Sequence, residues 1–310
     1  MKSPNRARNE RVGETSGFPC ILSFDVEEHY RIEAAFGLEC PPVLKDEYAR
    51  RMEATTRTIL ERLAAVEAKA TFFIVGEIGI SHPKLVRDIA DAGHEIASHS
   101  HDHRRVDRFT PAEFAEDLRR SKDALEQAGG RAVVGFRAPT FSVTRKTPWA
   151  IDALVELGFR YDSSIFPVRH DRYGIPDAPR MPFLAVGRER TILELPPATW
   201  RLAGQNLPVA GGGYFRLFPP LFMRRGLAQL EAKTSPAVGM LYFHPWEFDV
   251  DQPKLPLKRL SKWRTYVGIG KSLARLERLL ARGGFRRAVD VADELLDSKD
   301  SLTRFAVTPL

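Results

Sequence analysis

The chain has 310 residues, of which 43% are hydrophobic and 10% aromatic, enough to bury one large α/β domain or two small ones. This composition excludes a disordered chain, and two cysteines, Cys20 and Cys40, exclude a disulfide framework. The net charge of +7 is local: residues 254–287 hold eleven Lys or Arg and the single acid Glu277, whereas the remainder holds 36 basic and 39 acidic residues. A general nucleic-acid-binding surface is therefore not predicted.

The first 17 residues are polar and rich in Arg, Asn and Ser, which predicts a flexible tail. They contain no apolar run of the kind that forms a signal-peptide core. No later stretch approaches the roughly 20 apolar residues of a membrane span. These features favour a cytoplasmic protein.

Seven short apolar or β-branched runs predict β-strands that alternate with helices along the chain. The runs cover residues 20–26, 70–75, 94–98, 133–137, 159–162, 192–196 and 238–243. Strands joined by helical crossovers predict a parallel sheet, either doubly wound or closed into a barrel. Between them, several Pro and Gly residues over 166–213 interrupt the pattern and predict loops over one face.

Three helices are predicted from apolar spacing and from their end signals. One spans 44–68, and another runs from Ser81-x-Pro83 to Gly93. A capping box at Thr110, followed by Pro111, starts a third helix that ends at Gly129-Gly130. The alternation of strand and helix thus continues through the first half of the chain.

Two histidines, His99 and His103, follow the predicted strand 94–98. Imidazoles one helical turn apart can point the same way and bind a single divalent ion, while His101 between them points elsewhere. By itself such a pair also occurs on ordinary surfaces. A metal site therefore requires further ligands from other strands.

Acidic residues end the first predicted strand. Because side chains alternate along a strand, Asp25 and Glu27 are expected on one side, with Val26 and Glu28 on the other. In parallel α/β folds the carboxyl ends of strands meet, so these acids should approach the histidine pair. Two imidazoles and a carboxylate form a metal site with open positions.

Polar residues also follow three later strands, at Arg137, at Asp162 and at His244. Each one alone is more typical of a structural role, and a lone histidine after an aromatic run is usually a core residue. They become candidates for a functional site because all three follow strands of the same predicted sheet.

The order of these motifs resembles the NodB-homology polysaccharide deacetylases, carbohydrate esterase family 4, from about residue 21 to residue 245. The matching motifs are Ser23-Phe24-Asp25, Gly93-His94-Glu95-Ile96 leading to His99-Ser100-x-x-His103, Arg137-x-Pro139, Asp162-Ser163-Ser164 and Phe243-His244. Within the family the chain is most similar to the exosortase-associated (PEP-CTERM locus) branch, which is linked to exopolysaccharide production. The motifs for this branch are Phe24-Asp25-Val26-Glu27-Glu28, Gly211-Gly212-Gly213-Tyr214-Phe215-Arg216 and His244-Pro245-Trp246-Glu247.

The resemblance implies a distorted, incomplete (β/α)7 TIM-like barrel over residues 18–250. The flexible tail, 1–17, precedes it, and a basic helical extension, 251–310, packs on it. The resemblance also implies roles: Asp25 as general base held by Arg137, His244 as general acid oriented by Asp162, His99 and His103 as metal ligands, and the backbone N–H near Thr140 as an oxyanion donor.

The chain departs from the family at the third metal ligand. Most members have a second aspartate directly after the base, where this chain has Val26. Strand alternation predicts Glu27 as the replacement, with Glu28 as the alternative. The ligand types favour Zn²⁺, and Co²⁺, Ni²⁺ or Mn²⁺ can replace it. Candidate sugar-binding residues are Thr140, Phe141, Tyr214, Phe215 and Trp246.

The resemblance implies a metal-dependent N-deacetylase that releases acetate from an N-acetylated saccharide during exopolysaccharide assembly. Val26 leaves open a hydrolase of small amides with altered metal use or none. A third alternative is an inactive carbohydrate-binding protein, against which the retention of the polar motif residues speaks.

The basic segment predicts an amphipathic helix from Ile269. Its two faces are Ile269, Leu273, Leu276 and Leu280, opposite Lys271, Arg275, Arg278 and Arg282. Such a helix usually packs its apolar face on the domain and leaves the basic face to solvent. The alternative is peripheral contact with the anionic inner face of a membrane, which would suit an enzyme acting on a lipid-linked glycan.

Overall fold

One mostly parallel sheet organises the computed structural model, which describes residues 18–308. The strands are β1 Cys20–Val26, β2 Thr71–Ile74, β3 Glu95–Ser98, β4 Gly135–Phe136, β5 Tyr161–Asp162, β6 Phe183–Val186, β7 Thr191–Glu194, β8 Thr199–Leu202, β9 Gln205–Pro208, β10 Gly239–Phe243, β11 Phe285–Arg286 and β12 Arg304–Ala306. Their order is β10-β1-β2-β3-β4-β5-β7-β6-β12, with β11 also beside β1, and β8 and β9 form a separate pair. The run from β10 to β7 is parallel throughout and contains all seven strands that the sequence predicts.

Helices connect the strands, and most of them cover the outside of the sheet. They are α1 Pro42–Ala64, α2 Gly76–Ser81, α3 Pro83–Asp91, α4 Pro111–Gly129, α5 Trp149–Glu156, α6 Gly212–Leu217, α7 Pro220–Lys233, α8 Arg259–Tyr266, α9 Ser272–Leu280 and α10 Ala288–Asp297. The capping box at Thr110 is confirmed, and α4 ends at Gly130 with a φ of 68°, which a glycine adopts without strain.

The seven-stranded run curves into an incomplete barrel. Its end strands, β10 and β7, do not pair as neighbours in the sheet. Instead, the amide of Ala198, just after β7, donates to the carbonyl of Met240 (3.0 Å), and Gly211 bridges to Tyr242. The predicted α/β class and distorted barrel are therefore confirmed.

Side chains alternate between the two surfaces of the barrel wall. On β1, Leu22, Phe24 and Val26 face outward and are fully buried in the core between sheet and helices. Ile21 belongs to a second cluster inside the barrel, and Asp25 lies on the same side of the strand. The polar residues of the first strand thus enter the barrel interior because the apolar ones occupy the outer core.

The end of the described chain closes the amino end of the barrel. Helix α10 packs inside it, against residues from β1, β2 and β10; these contacts include Val291, Leu295, Ile21, Phe73 and Met240. β11 pairs with β1, and β12 pairs with β6. The predicted helical extension after residue 250 therefore also contributes two strands to the sheet.

Three sequence predictions need correction or comment. Segment 166–213, predicted as loops, contains two antiparallel pairs, β6 with β7 and β8 with β9. Helix α9 packs its apolar side as expected, but Arg275 does not face solvent: its guanidinium donates to the carbonyls of Phe215 (2.5 Å) and Arg216 (2.8 Å). The predicted tail, 1–17, lies outside the described residues.

Within the described residues, no helix is both long and apolar enough to cross a bilayer.

Candidate active site

The carboxyl ends of the parallel strands bring most of the predicted site residues into one cavity of about 170 Å³. Its lining includes Asp25, Glu27, His99, His103, Thr140, Phe141, His244 and Trp246. The shared side of Asp25 and Glu27, predicted from strand alternation, is confirmed, because both face this cavity while Val26 is fully buried in the outer core.

Asp25 is held by a buried arginine. Arg137 Nη1 donates to Asp25 Oδ1 at 2.6 Å and to Ser23 Oγ at 2.8 Å, and its side chain has no exposed surface. Its other nitrogens donate to the hydroxyl (2.9 Å) and carbonyl (3.3 Å) of Ser163. A fully bonded guanidinium fixes the carboxylate and offsets part of its desolvation cost.

Glu27, His99 and His103 form the only potential metal cluster found among residues 18–308. One ligand atom from each side chain lies within 4.8 Å of the others. His103 Nε2 contacts Glu27 Oε2, and this buried oxygen has no other polar partner among the described residues. The geometry therefore favours Glu27 over Glu28, whose carboxylate pairs with Arg31 at 2.5 Å.

The backbone brings the histidine pair together by turns rather than by a helix. Ser100 and His103 adopt left-handed φ values of 65° and 64°, and the His99 and His103 rings lie 5.0 Å apart between centroids. As predicted, His101 points elsewhere, with its Nε2 2.8 Å from Arg120. Backbone strain at non-glycine residues is common where a site requires one conformation.

The electrostatics of the cluster suit a cation. Burial lowers the pKa of His99 to about 4, which keeps the imidazole neutral and able to donate a lone pair. His99 Nδ1 donates to the carbonyl of Arg137 (2.7 Å), so Nε2 is the nitrogen left for a ligand. Burial opposes ionisation of Glu27, but His103 and His244 hold its pKa well below the usual range.

His244 faces both acids across the cavity. Its Nε2 lies 3.9 Å from Asp25 Oδ2 and 3.8 Å from Glu27 Oε1. Burial disfavours the imidazolium, but its hydrogen bond to Glu247 and the negative charges of Glu27, Glu247 and Asp25 outweigh burial and raise the pKa of His244 to about 9. The protonated form is the one that can donate a proton.

The partner that orients His244 is Glu247, which corrects the assignment of this role to Asp162. His244 Nδ1 lies 2.7 Å from Glu247 Oε1, in the turn that follows β10. Asp162 instead accepts from the hydroxyl of Ser164, which in turn accepts from the amide of Ala138 (2.7 Å). Asp162 therefore supports the loop that begins at Arg137.

Arg216 belongs to a motif recognised in the sequence, but no role was predicted for it. Its Nε donates to Glu247 Oε2 at 2.7 Å, and both side chains are almost completely buried. The motif begins at Gly211, where a Cβ would lie 1.7 Å from the carbonyl oxygen of Tyr242. A glycine is thus required there for α6 to approach β10 and place Arg216 behind Glu247.

The predicted sugar-binding residues divide into two groups. Thr140 and Phe141, with left-handed φ values of 56° and 51°, line the cavity. Trp246 also lines it, and its Nε1 donates to Glu27 Oε1 at 3.1 Å. Tyr214 lies in a different cleft together with Phe215, stacked on Phe218.

An arginine-held carboxylate, a three-ligand cation site and a glutamate-bound histidine in one cavity at the carboxyl end of a barrel define a candidate hydrolase site. Residues 45–161 match the family model described as polysaccharide deacetylase, and residues 163–293 match a domain of unknown function, DUF3473. Over residues 45–161 the chain is therefore similar to the polysaccharide deacetylases, the NodB-homology proteins of carbohydrate esterase family 4.

The proteins that are similar in sequence each match only a part of this chain. It is 34% identical over 107 residues to a peptidoglycan deacetylase-like protein of Gibberella zeae, covering 34% of this chain and 30% of the relative. It is 31% identical over 84 residues to a peptidoglycan-N-acetylglucosamine deacetylase of Bacillus cereus, covering 27% of this chain and 30% of the relative. The chain thus matches about a third of the length of these curated relatives.

The fold is shared over nearly the whole chain. A crystal structure described as a "putative polysaccharide deacetylase" from Mycobacterium smegmatis superposes with a TM-score of 0.61 at 22% identity. The match covers 96% of this chain and 97% of that one. At this identity the likeness establishes the barrel and its connections, not the reaction.

Proposed function

We propose that this protein is a metal-dependent hydrolase that removes acetyl groups from an N-acetylhexosamine-containing saccharide. The observation that carries the proposal is that one cavity contains three functional groups. They are Asp25, which is paired with Arg137; the potential metal ligands Glu27, His99 and His103; and His244, whose Nε2 lies within 3.9 Å of the carboxylates of Asp25 and Glu27. Together they can activate water, stabilise negative charge and protonate a leaving amine.

The residues of the cluster fit a divalent metal. Two imidazoles and one carboxylate, with Glu27 Oε2 buried and facing His103 Nε2, make a donor set that Zn²⁺, Co²⁺, Ni²⁺ or Mn²⁺ accepts. A metal held by Glu27, His99 and His103 would supply Lewis-acid polarisation of the amide carbonyl and lower the pKa of a coordinated water.

The reaction steps then fall to this chain's own side chains. Asp25 takes the proton of the attacking water, and the hydrogen bond from Arg137 holds the carboxylate in position. His244 donates its proton to the amide nitrogen as the C–N bond breaks, while Glu247 holds the imidazole in place. The backbone at Thr140 faces the cavity as the proposed oxyanion donor. The products are acetate and a free amino sugar.

The substrate class follows from the relatives, whose names specify peptidoglycan and chitooligosaccharide deacetylases. A role in exopolysaccharide assembly rests on the motifs shared with the exosortase-associated branch. Within that role we also propose a cytoplasmic enzyme, with peripheral contact at the inner membrane face.

Acetate release from N-acetylhexosamine oligomers tests the proposal directly. The protein is assayed as isolated, after chelation, and after chelation followed by Zn²⁺. Activity that is lost and then regained is the expected result. Activity that ignores chelation would favour the metal-independent amidohydrolase, and saccharide binding without acetate release would favour the inactive carbohydrate-binding protein.

A further inference from the structure

Two segments that adjoin the active-site cavity carry exposed apolar side chains. Eleven large apolar residues are exposed among residues 18–308, and six of them lie in two segments, one after β1 and one after β10. We call these six the mouth rim: Phe36, Leu38, Val43, Val250, Leu260 and Trp263.

A small apolar cluster joins the two segments to each other and to the cavity. It contains Ile32 and Ala35 from the first segment, with Leu255 and Leu257 from the second, and Trp246 packs against it. Ile32 and Trp246 also line the active-site cavity. The two segments that carry the mouth rim are therefore packed against the wall of the cavity.

The exposure of the mouth rim is large. Val43 is 82% exposed, Phe36 68%, Leu260 60% and Trp263 53%. Single exposed apolar residues are ordinary on any protein, but several around one opening indicate a surface that contacts something apolar. Arg108 covers one face of the Phe36 ring at 3.6 Å.

The second segment combines this apolar surface with unpaired positive charge. Residues 254–264 contain five basic residues and no acid, all five are exposed, and none forms an ion pair with another described residue; they are Lys254, Lys258, Arg259, Lys262 and Arg264. Glu39 and Asp251 also lie along the rim, so the positive charge is concentrated at α8.

This combination matches the surface of an anionic bilayer better than that of a soluble polyanion. Leu260 and Trp263 lie between the basic residues of one short helix, where an indole ring can enter the interfacial region while lysines contact lipid headgroups. A soluble polyanion would use the charges and gain little from the apolar side chains.

Helix α9 is the basic helix for which the sequence suggested membrane contact as an alternative. It is less suited to bind a membrane than α8. Arg275 is bound to backbone carbonyls of the barrel, and the carboxylate of Glu277 pairs with Arg62 at 2.9 Å. Its apolar side is buried against the domain. The surface available to a membrane is therefore α8 and the mouth rim.

We infer that the mouth rim and α8 dock on an anionic bilayer with the active-site cavity facing the lipid surface. The substrate class that this placement fits is a saccharide held at the membrane by a lipid anchor. The docking itself is independent of the proposed deacetylase function, whereas the substrate class rests on it.

Sedimentation of the full chain with vesicles tests the docking. Phosphatidylcholine vesicles with about one-third phosphatidylglycerol should bind the protein, and pure phosphatidylcholine vesicles should bind it much less. Lys258→Ala and Lys262→Ala should each weaken binding about fivefold, because a basic residue near such a surface contributes about 1 kcal/mol. Leu260→Ser with Trp263→Ser should weaken it about tenfold or more.

Two matched controls lie away from this surface. Ile80→Ser removes a residue that is 65% exposed on α2, and Arg278→Ala removes an exposed arginine on α9. Both should bind vesicles like the wild type. Equal weakening by Arg278→Ala and by Lys262→Ala would overturn the assignment to α8.

Other occupants of the surface give different results. Vesicle binding unaffected by Leu260→Ser with Trp263→Ser, but competed by heparin, would indicate a polyanion site and overturn the proposal. A dimer that these substitutions dissociate, without vesicle binding, would indicate a second copy of the chain and also overturn it. Acetate release from a soluble oligomer is measured in parallel: vesicle binding without any acetate release would contradict only the proposed function.

Discussion

The two ends of the barrel interior are built from the same strands but carry opposite chemistry. At the amino end, Ile21 and Met240 pack against helix α10. At the carboxyl end, two or more residues further along the same strands, the interior holds Asp25 and the groups that face it. One end is closed by an apolar helix, and the other is an open polar cavity.

A buried carboxyl group at each end shows how neighbours determine its role. Glu95, at the amino end, has no cation paired with it, and burial raises its pKa to about 7. It accepts hydrogen bonds from Thr71 (2.7 Å), Tyr161 (2.8 Å) and the amide of Val289 (2.9 Å). Asp25 is paired with Arg137 and faces the active-site cavity. The first group ties α10 to the barrel, and the second is available for proton transfer.

The largest effect is expected from removing the base at the polar end. Asp25→Asn should lower the rate of acetate release by roughly 10³-fold or more, since an amide cannot accept the proton of water. Metal content, measured by mass spectrometry of the purified protein, should stay at the wild-type level. His99→Ala should lose both metal and activity, and equal metal loss in the two variants would contradict the separate roles of base and ligand.

At the closed end, shortening an apolar side chain should lower the stability of the fold and leave the rate of the reaction unchanged. Leu295→Ala should lower the free energy of unfolding by about 3 kcal/mol, because it leaves a cavity between α10 and the barrel wall. Urea denaturation measures this change, and the turnover number at a temperature where the variant is folded should be close to that of the wild type. Ile80→Ala, at an exposed site, is the control; a similar loss there would contradict the role of α10.

A smaller effect is expected from replacing Glu247, the residue that orients the proposed general acid His244. Glu247→Gln should lower turnover about 10- to 100-fold, since His244 loses the carboxylate that orients it while the metal ligands remain. Metal content should be unchanged, unlike in His99→Ala. Glu231→Gln, an exposed glutamate on α7, serves as the control. Wild-type turnover in Glu247→Gln would exclude the His244–Glu247 pair from the reaction.

The smallest effect is a pH dependence of stability from Glu95. Its folded pKa of about 7 lies above the ordinary 4.5, so the folded state holds the proton more tightly. The resulting stabilisation is complete below pH 4.5 and is lost as pH rises towards 7, at about 1 kcal/mol per pH unit. Glu95→Gln should remove this slope in urea titrations, and an unchanged slope would show that Glu95 is ionised when folded.

The sequence predicted the wall of the barrel well because periodicity reports it directly. All seven strands of the parallel run were recognised, and alternation placed Asp25 and Glu27 on the interior side. The same alternation explains how the chain can differ from the family at Val26. The valine side chain packs in the outer core, and the next residue, Glu27, points to the interior and can replace the missing ligand.

Contacts between distant segments could not be predicted in the same way. An amphipathic pattern shows that α10 has an apolar face but not that this face enters the barrel. Similarly, Arg275 and Lys262 are both basic residues on helices, and only packing shows that the first binds carbonyls while the second is exposed. The Glu247 carboxylate was visible in the sequence three residues after His244, but its role depends on a tight turn and on Arg216 behind it.

The pairing of β1 with the last parts of the sheet has a consequence for synthesis on the ribosome. Ser23 donates to the carbonyl of Leu241, 218 residues later, and β1 also pairs with β11 beyond it. At 5–20 residues per second, roughly 10 to 40 seconds separate the emergence of β1 from that of β10. During that interval the apolar first strand has one edge without its partner, so the nascent chain should depend on chaperones until its final segments emerge.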